Sequence, residues 1–158
     1  MKIKELRKKI GITAKEASNA INIPLRTYVR YENDDNYGDF FKRKKIYESL
    51  EEKYQITENK GILSIEKIKE CLAKVFSKYK DDISFCYLFG SYAKGYAKEN
   101  SDIDLLISTN LKGMQFVGIA EELRNVLNKK IDLIRLIDLT NNTDLINEIM
   151  KDGIKIYG

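Results

Sequence analysis

Apolar residues in the first third of the chain recur at helical spacing. Ile3, Leu6 and Ile10 form one stripe on a short helix that Gly11 ends. Thr13, with Glu16 three residues on, reads as a capping box opening a second helix, TAKEASNAI, which ends near Ile21 and Asn22. Pro24 suits the first turn of a third helix, PLRTYVRYEN, closed by the polar run NDDNYGD. A fourth, over about residues 40–55, places Phe41, Ile46, Tyr47, Leu50 and Tyr54 near one face. The polar breaker ENKG at 58–61 marks the expected domain boundary.

Beyond it the pattern changes. Ile65, Ile68, Leu72, Val75, Phe76 and Tyr79 predict one amphipathic helix. ISFCYLF (83–89), SDIDLLIS (101–108) and IDLIRLI (131–137) predict strands. Residues 90–101 read as a loop with two glycines. Residues 114–129 predict a helix with Phe116, Ile119, Ala120, Leu123, Val126 and Leu127 on one side. Residues 142–152 look helical, and IKIY is a short last strand. Strands alternating with helices give an α/β domain over 62–158, a mixed sheet flanked by helices, behind an all-α bundle over 1–58.

Composition narrows the chemistry. The chain of 158 residues has no histidine, which removes Ser-His and Cys-His catalysis and most zinc sites. Cys71 and Cys86 lack metal-ligand spacing and read as reduced core thiols of a cytoplasmic protein. No apolar run is long enough to span a bilayer, and the start MKIKELRKKIGIT lacks the apolar core of a signal peptide, so no membrane partner is expected. The net charge of +4 sits in one half: residues 1–60 hold 14 Lys and Arg against 10 Asp and Glu, whereas the remainder holds 14 of each. The two halves are therefore expected to meet different partners.

The candidate chemistry lies in FGSYAKGYAKENSDIDLLIS, residues 89–108. Side chains alternate across a strand, so Asp102 and Asp104 face the same way, about 6–7 Å apart at ~3.3 Å per residue. Two carboxylates so close repel unless a cation lies between them, and Mg²⁺ takes oxygen ligands while keeping positions open for water or phosphate. Asp132 is a third acid on the next strand. If the strands share a sheet, the three can converge on one or two ions. Gly90 lets the backbone approach a ligand closely, and backbone N–H groups with the Ser91 hydroxyl can hold phosphate oxygens. Lys94, and more weakly Lys98, can neutralise a triphosphate. Taken singly, Gly-Ser is a turn and Asp-x-Asp a solvated strand edge; it is their joint spacing that points to two-metal phosphoryl or nucleotidyl transfer.

GSYAKGYAKENSDIDLLIS resembles the signature of the DNA-polymerase-β-like nucleotidyltransferases, and more closely the minimal nucleotidyltransferases (MNT) of prokaryotes, over about residues 62–158. The resemblance implies nucleotide phosphates on Gly90 and Ser91, Mg²⁺ on Asp102 and Asp104, and Asp132 as the third acid. Lys94 stands where family members often carry Arg. Many small members are antitoxins that transfer AMP from ATP to a tyrosine of a HEPN-domain RNase toxin. The implied activity is such an adenylyl transfer, with a HEPN toxin as partner and two Mg²⁺ ions. The alternatives are a small-molecule (aminoglycoside-type) nucleotidyltransferase and a DNA-binding regulator with an idle nucleotide-sensing domain.

TAKEASNAINIPLRTYVRYEN is similar to the helix-turn-helix of lambda-repressor-like (XRE-type) domains, over roughly residues 1–56. The resemblance implies operator binding for autoregulation, as a homodimer on DNA or within a larger toxin complex. Base contacts would come from Leu25, Arg26 and Arg30, and phosphate contacts from Lys15 and the run Lys42 to Lys45. The motif departs from the family at Ala14, where a polar residue is common, and at Leu25. The plainer alternative is a helical bundle that only docks a partner.

Overall fold

The computed structural model describes residues 2–158 and divides the chain into two compact units, one running through Gln55 and the other from Ile56 to Gly158. The first unit is four helices: α1 (Ile3–Ile10), α2 (Ala14–Ala20), α3 (Leu25–Asn33) and α4 (Phe40–Tyr54). Gly11 stops α1 in the left-handed conformation. Thr13 and Glu16 close the capping box in both directions and start α2. Ile3, Leu6, Ala17, Tyr28, Tyr31, Ile46 and Leu50 form the core. Arg7 donates to the Glu32 carboxylate and to the Ile12 carbonyl, tying α1 to the end of α3 and to the turn before α2.

Phe41 was expected on the inner face of α4 but is 80% exposed, in edge-to-face contact with Phe40. It lies five residues before buried Ile46, about 140° round the helix, so it points away from the core.

The second unit opens with a tight turn and α5 (Ile65–Phe76). There follow β1 (Ile83–Phe89), α6 (Gly90–Lys94), β2 (Ile103–Thr109), α7 (Gly113–Leu127), β3 (Ile131–Arg135), α8 (Thr143–Asp152) and β4 (Ile154–Tyr157). The sheet order is β3-β2-β1-β4. β2 and β3 are parallel, while β1 is antiparallel to both β2 and β4, so the sheet is mixed. The 58–61 break falls inside this unit: Thr57 pairs with Lys60, and Arg124 Nε donates to Glu58 at 2.7 Å. The predicted helix over 65–79 changes to a 3-10 turn at Ser77–Tyr79, and the strand over 131–137 to one at Leu136–Leu139.

The sheet's two faces differ. Cys86, Leu88, Ile103, Leu105 and Ile107 pack under α5 and α7, against Ile68, Leu72, Phe76, Ile119, Leu123 and Leu127. A fully buried leucine or isoleucine stabilises by about 1.5–3 kcal/mol, so this continuous layer fixes the register of β2. Val126, expected on the inner side of α7, is exposed because it lies at the margin of the stripe set by Ile119, Leu123 and Leu127. The other face is thinner: Phe89, Leu106, Leu139 and Ile149 are its buried members, flanked by half-buried Tyr87, Ile134 and Leu145. One helix of ten residues, α8, and a 3-10 turn supply its cover.

Candidate active site

Strand alternation decides where the acids go. In β2, Ile103, Leu105 and Ile107 belong to the thick layer, so Asp104 emerges on the thinner face beside Leu106. Ile131 and Leu133 of β3 pack against the same thick layer, which sends Asp132 the way of Asp104. The parallel register pairs Asp104 with Asp132 directly. Asp102, two residues before Asp104, lies just ahead of β2 and near enough for its charge to be felt at Asp104. Asp104 is half-buried, whereas Asp132, on the edge strand, is exposed.

Asp104 carries the electrostatic stress. Burial, followed by the charges of Asp132, Asp102 and Glu148, pushes its carboxyl up to about 6. Glu148, on α8, escaped the sequence reading. It belongs to no local motif, but it sits between Leu145 and Ile149 on the side of α8 that packs on the sheet, where a carboxylate is unusual. Four acidic side chains therefore act on one region with few opposite charges near.

Gly90 is pressed against this cluster. It begins α6 with φ of 67°, in the left-handed region, and a Cβ there would lie 2.1 Å from Asp104 Oδ2. Only glycine brings the backbone so near the carboxylate. Residues 90–94, expected as loop, are a single helical turn ended by left-handed Gly95. Ser91 is half-buried in that turn. Lys94 Nζ donates to Glu148 at 2.6 Å, and this bond holds its ammonium above the ordinary lysine range. The cation expected to meet phosphate is thus paired with the fourth acid, while Lys98 is exposed.

The donor set suits Mg²⁺: all the ligating atoms are carboxylate oxygens, and Asp104 lacks a counter-charge. Among the described residues no three acids are close enough together to enclose an ion unaided. The expected convergence of Asp102, Asp104 and Asp132 around one ion is therefore not met by the side chains as they stand; Mg²⁺ held by one or two of them would complete its octahedron with water and substrate phosphate. Asp102 and Asp104, with Asp132 alongside, are the residues that would hold it.

In the N-terminal unit, Lys15 on α2 and Leu25 and Arg26 at the start of α3 are exposed. The Arg30 guanidinium lies 4.4 Å from the centre of the Tyr37 ring. Among the described residues, no helix is long and apolar enough to cross a membrane.

The site thus comprises a carboxylate pair aligned across two parallel strands, against a glycine-led turn. Residues 66–158 match the family model described as Polymerase beta, Nucleotidyltransferase, and residues 3–37 match that described as Helix-turn-helix. The first match spans more than half of the chain, which therefore belongs to the polymerase-β-type nucleotidyltransferase family. A chain of Methanocaldococcus jannaschii named as a candidate protein adenylyltransferase, MJ1215, is 36% identical over 75 residues, 45% of this chain and 87% of that one. The protein adenylyltransferase MntA of Shewanella oneidensis is 30% identical over 90 residues, 54% of this chain and 63% of MntA. Among solved structures, a toxin–antitoxin crystal structure with AMP-PNP aligns with a TM-score of 0.49 and 28% identity, covering 61% of this chain and 74% of that chain.

Proposed function

We propose that this protein transfers AMP from MgATP to a protein hydroxyl, a tyrosine of a HEPN-domain RNase toxin, and thereby acts as that toxin's antitoxin. The observation that carries the chemistry is the in-register pair Asp104 and Asp132 with Gly90 packed against Asp104. The relatives named as protein adenylyltransferases favour AMP as the transferred group and a protein as acceptor.

The residues divide the work. Gly90 and Ser91 offer backbone N–H groups and a hydroxyl to the phosphates. Lys94 adds a positive charge once phosphate competes for it with Glu148. Asp102 and Asp104 hold magnesium, which when bound supplies the charge that lets a triphosphate approach this acidic cluster. Asp132, solvent-facing on the edge strand, accepts the proton of the incoming hydroxyl. The hydroxyl oxygen bonds to the α-phosphorus, the bond from α-phosphorus to the bridging oxygen breaks, and pyrophosphate leaves.

The test is incubation of the full chain with α-labelled ATP, Mg²⁺ and the product of the neighbouring gene. The expected result is a labelled tyrosine on that product. Label on an aminoglycoside instead would establish the small-molecule reading. No label, with nucleotide-dependent operator binding, would establish the regulator.

The N-terminal unit is proposed to bind operator DNA through α3, as a homodimer or within the toxin complex. On upstream DNA, Arg26→Ala is expected to cost about 1–3 kcal/mol and relax sequence preference, whereas Lys15→Ala should weaken all sequences alike and lower the salt slope by about one. Gel shifts at several salt concentrations separate the two; an unchanged Arg26→Ala variant rules out α3 as the reading helix.

A further inference from the structure

Lys129 is fully buried and has no carboxylate partner in the bonds it makes. Its ammonium donates to three backbone carbonyls: Glu58 at 3.4 Å, Lys60 at 3.3 Å, and Glu99 at short range. A lysine ammonium has three donors, so each finds one acceptor. The carbonyls come from two separate segments, the 57–61 turn and the 95–101 loop. Lys129 itself lies in the middle of the three-residue connection, 128–130, from α7 to β3. It occupies a cage of oxygens much as a bound monovalent cation would.

The cage leads to the active site. Three residues beyond Glu99 stands Asp102. The chain between is clipped: Lys98 N–H donates to Ser101 Oγ at 2.8 Å, and Ser101 N–H to the Lys98 carbonyl at 3.0 Å. Ile103 N–H then donates to the carbonyl of Lys130 at 2.9 Å, which starts the pairing of β2 with β3 between the two acids. A second tie, Gly61 N–H to Glu99 Oε1 at 3.3 Å, holds the loop to the turn.

We propose that Lys129 is a positioning residue: its ammonium fixes the 95–101 loop and so places Asp102 relative to Asp104 and Asp132. The proposal builds on the nucleotidyltransferase reading of those acids. It also gives a buried lysine a role where burial disfavours charge, because an apolar replacement would leave three carbonyls without donors.

The experiment uses the full chain carrying Lys129→Met. Amide hydrogen exchange should quicken by about tenfold at Lys98, Ser101 and Ile103, with the amides of α5 and β1 unchanged. The Mn²⁺ affinity, read by the paramagnetic resonance of the free ion, should fall about tenfold, in the range that outer partners of metal ligands command. Exchange that is unchanged at the three amides, or raised equally through the unit, overturns the proposal. Should Lys129→Met not fold, Lys129→Ala is refolded with ethylammonium or with tetramethylammonium, which has no N–H. Recovery with the first alone supports the cage, and any other pattern overturns it. If the wild type transfers no AMP, the nucleotidyltransferase reading fails, while the exchange measurement still decides the role of Lys129.

Discussion

Asp104→Asn is expected to raise the stability of the metal-free second unit and, in assays with MgATP, to cut AMP transfer at least about a hundredfold, the upper end of what even an outer partner of a metal ligand costs. The two effects share a cause. Burial and the charges of Asp132, Asp102 and Glu148 disfavour the Asp104 carboxylate, whose pKa is pushed up to about 6 in the fold, against about 3.9 in the unfolded chain. The folded state thus binds the proton more tightly. The stabilising contribution of that proton is full below about pH 4, is lost as the pH rises toward 6, and is absent above it. The carboxamide of the variant never ionises and does not show this slope. Because Asp104 is only half-buried, solvent screening limits the gain at pH 8 to about 1 kcal/mol or less.

Thermal melts of both proteins between pH 4 and 8 check this, and the curves should converge at the acid end. Adding Mg²⁺ at pH 8 should raise the melting temperature of the wild type and leave the variant nearly unmoved. A variant less stable than the wild type at pH 8 without metal would mean that Asp104 makes a favourable contact outweighing the repulsion.

Gly90→Ala should damage both the stability of the second unit and the chemistry of its acidic cluster. A left-handed dihedral costs a non-glycine residue roughly 1–2 kcal/mol. The added carbon also meets Asp104 Oδ2 at 2.1 Å and Cγ at 2.9 Å, an overpacking of about 1–3 kcal/mol. Together these predict a loss of roughly 2–5 kcal/mol, with transfer at background because the carboxylate is driven aside. The steric part depends on the partner, so a double-mutant cycle isolates it. In an Asp104→Ala background the carboxyl is gone, and Gly90→Ala should cost only the dihedral penalty. Equal costs in the two backgrounds would show that the turn moves away rather than pressing on the acid.

Much of this site was legible in the chain because it obeys a local period. Alternation in β2 and β3 separates Asp102, Asp104 and Asp132 from the isoleucines and leucines beside them, and the parallel register does the rest. Glu148 was not legible in that way. It reaches the cluster only because α8 packs over the thin face of the sheet, a contact no spacing encodes; its one trace is a charge on the sheet-facing side of an amphipathic helix. Lys129 left even less. In the sequence it is one of a Lys-Lys pair after a helix, and only the fold shows that its neighbour Lys130 is exposed while it is sealed among carbonyls. Arg135, which interrupts an apolar strand, is accounted for at the sheet's edge: it bonds Asp138 at 2.8 Å and lies over the Phe116 ring.

The ENKG turn bears on how the catalytic half can be excised. Glu58 and Lys60 supply two of the three oxygens that receive Lys129. A fragment begun at residue 62, where the strand-and-helix pattern starts, would discard both and strand a cation in an apolar interior. Begun at Ile56, the same piece keeps its internal counter-dipoles and the arm that bears Asp102.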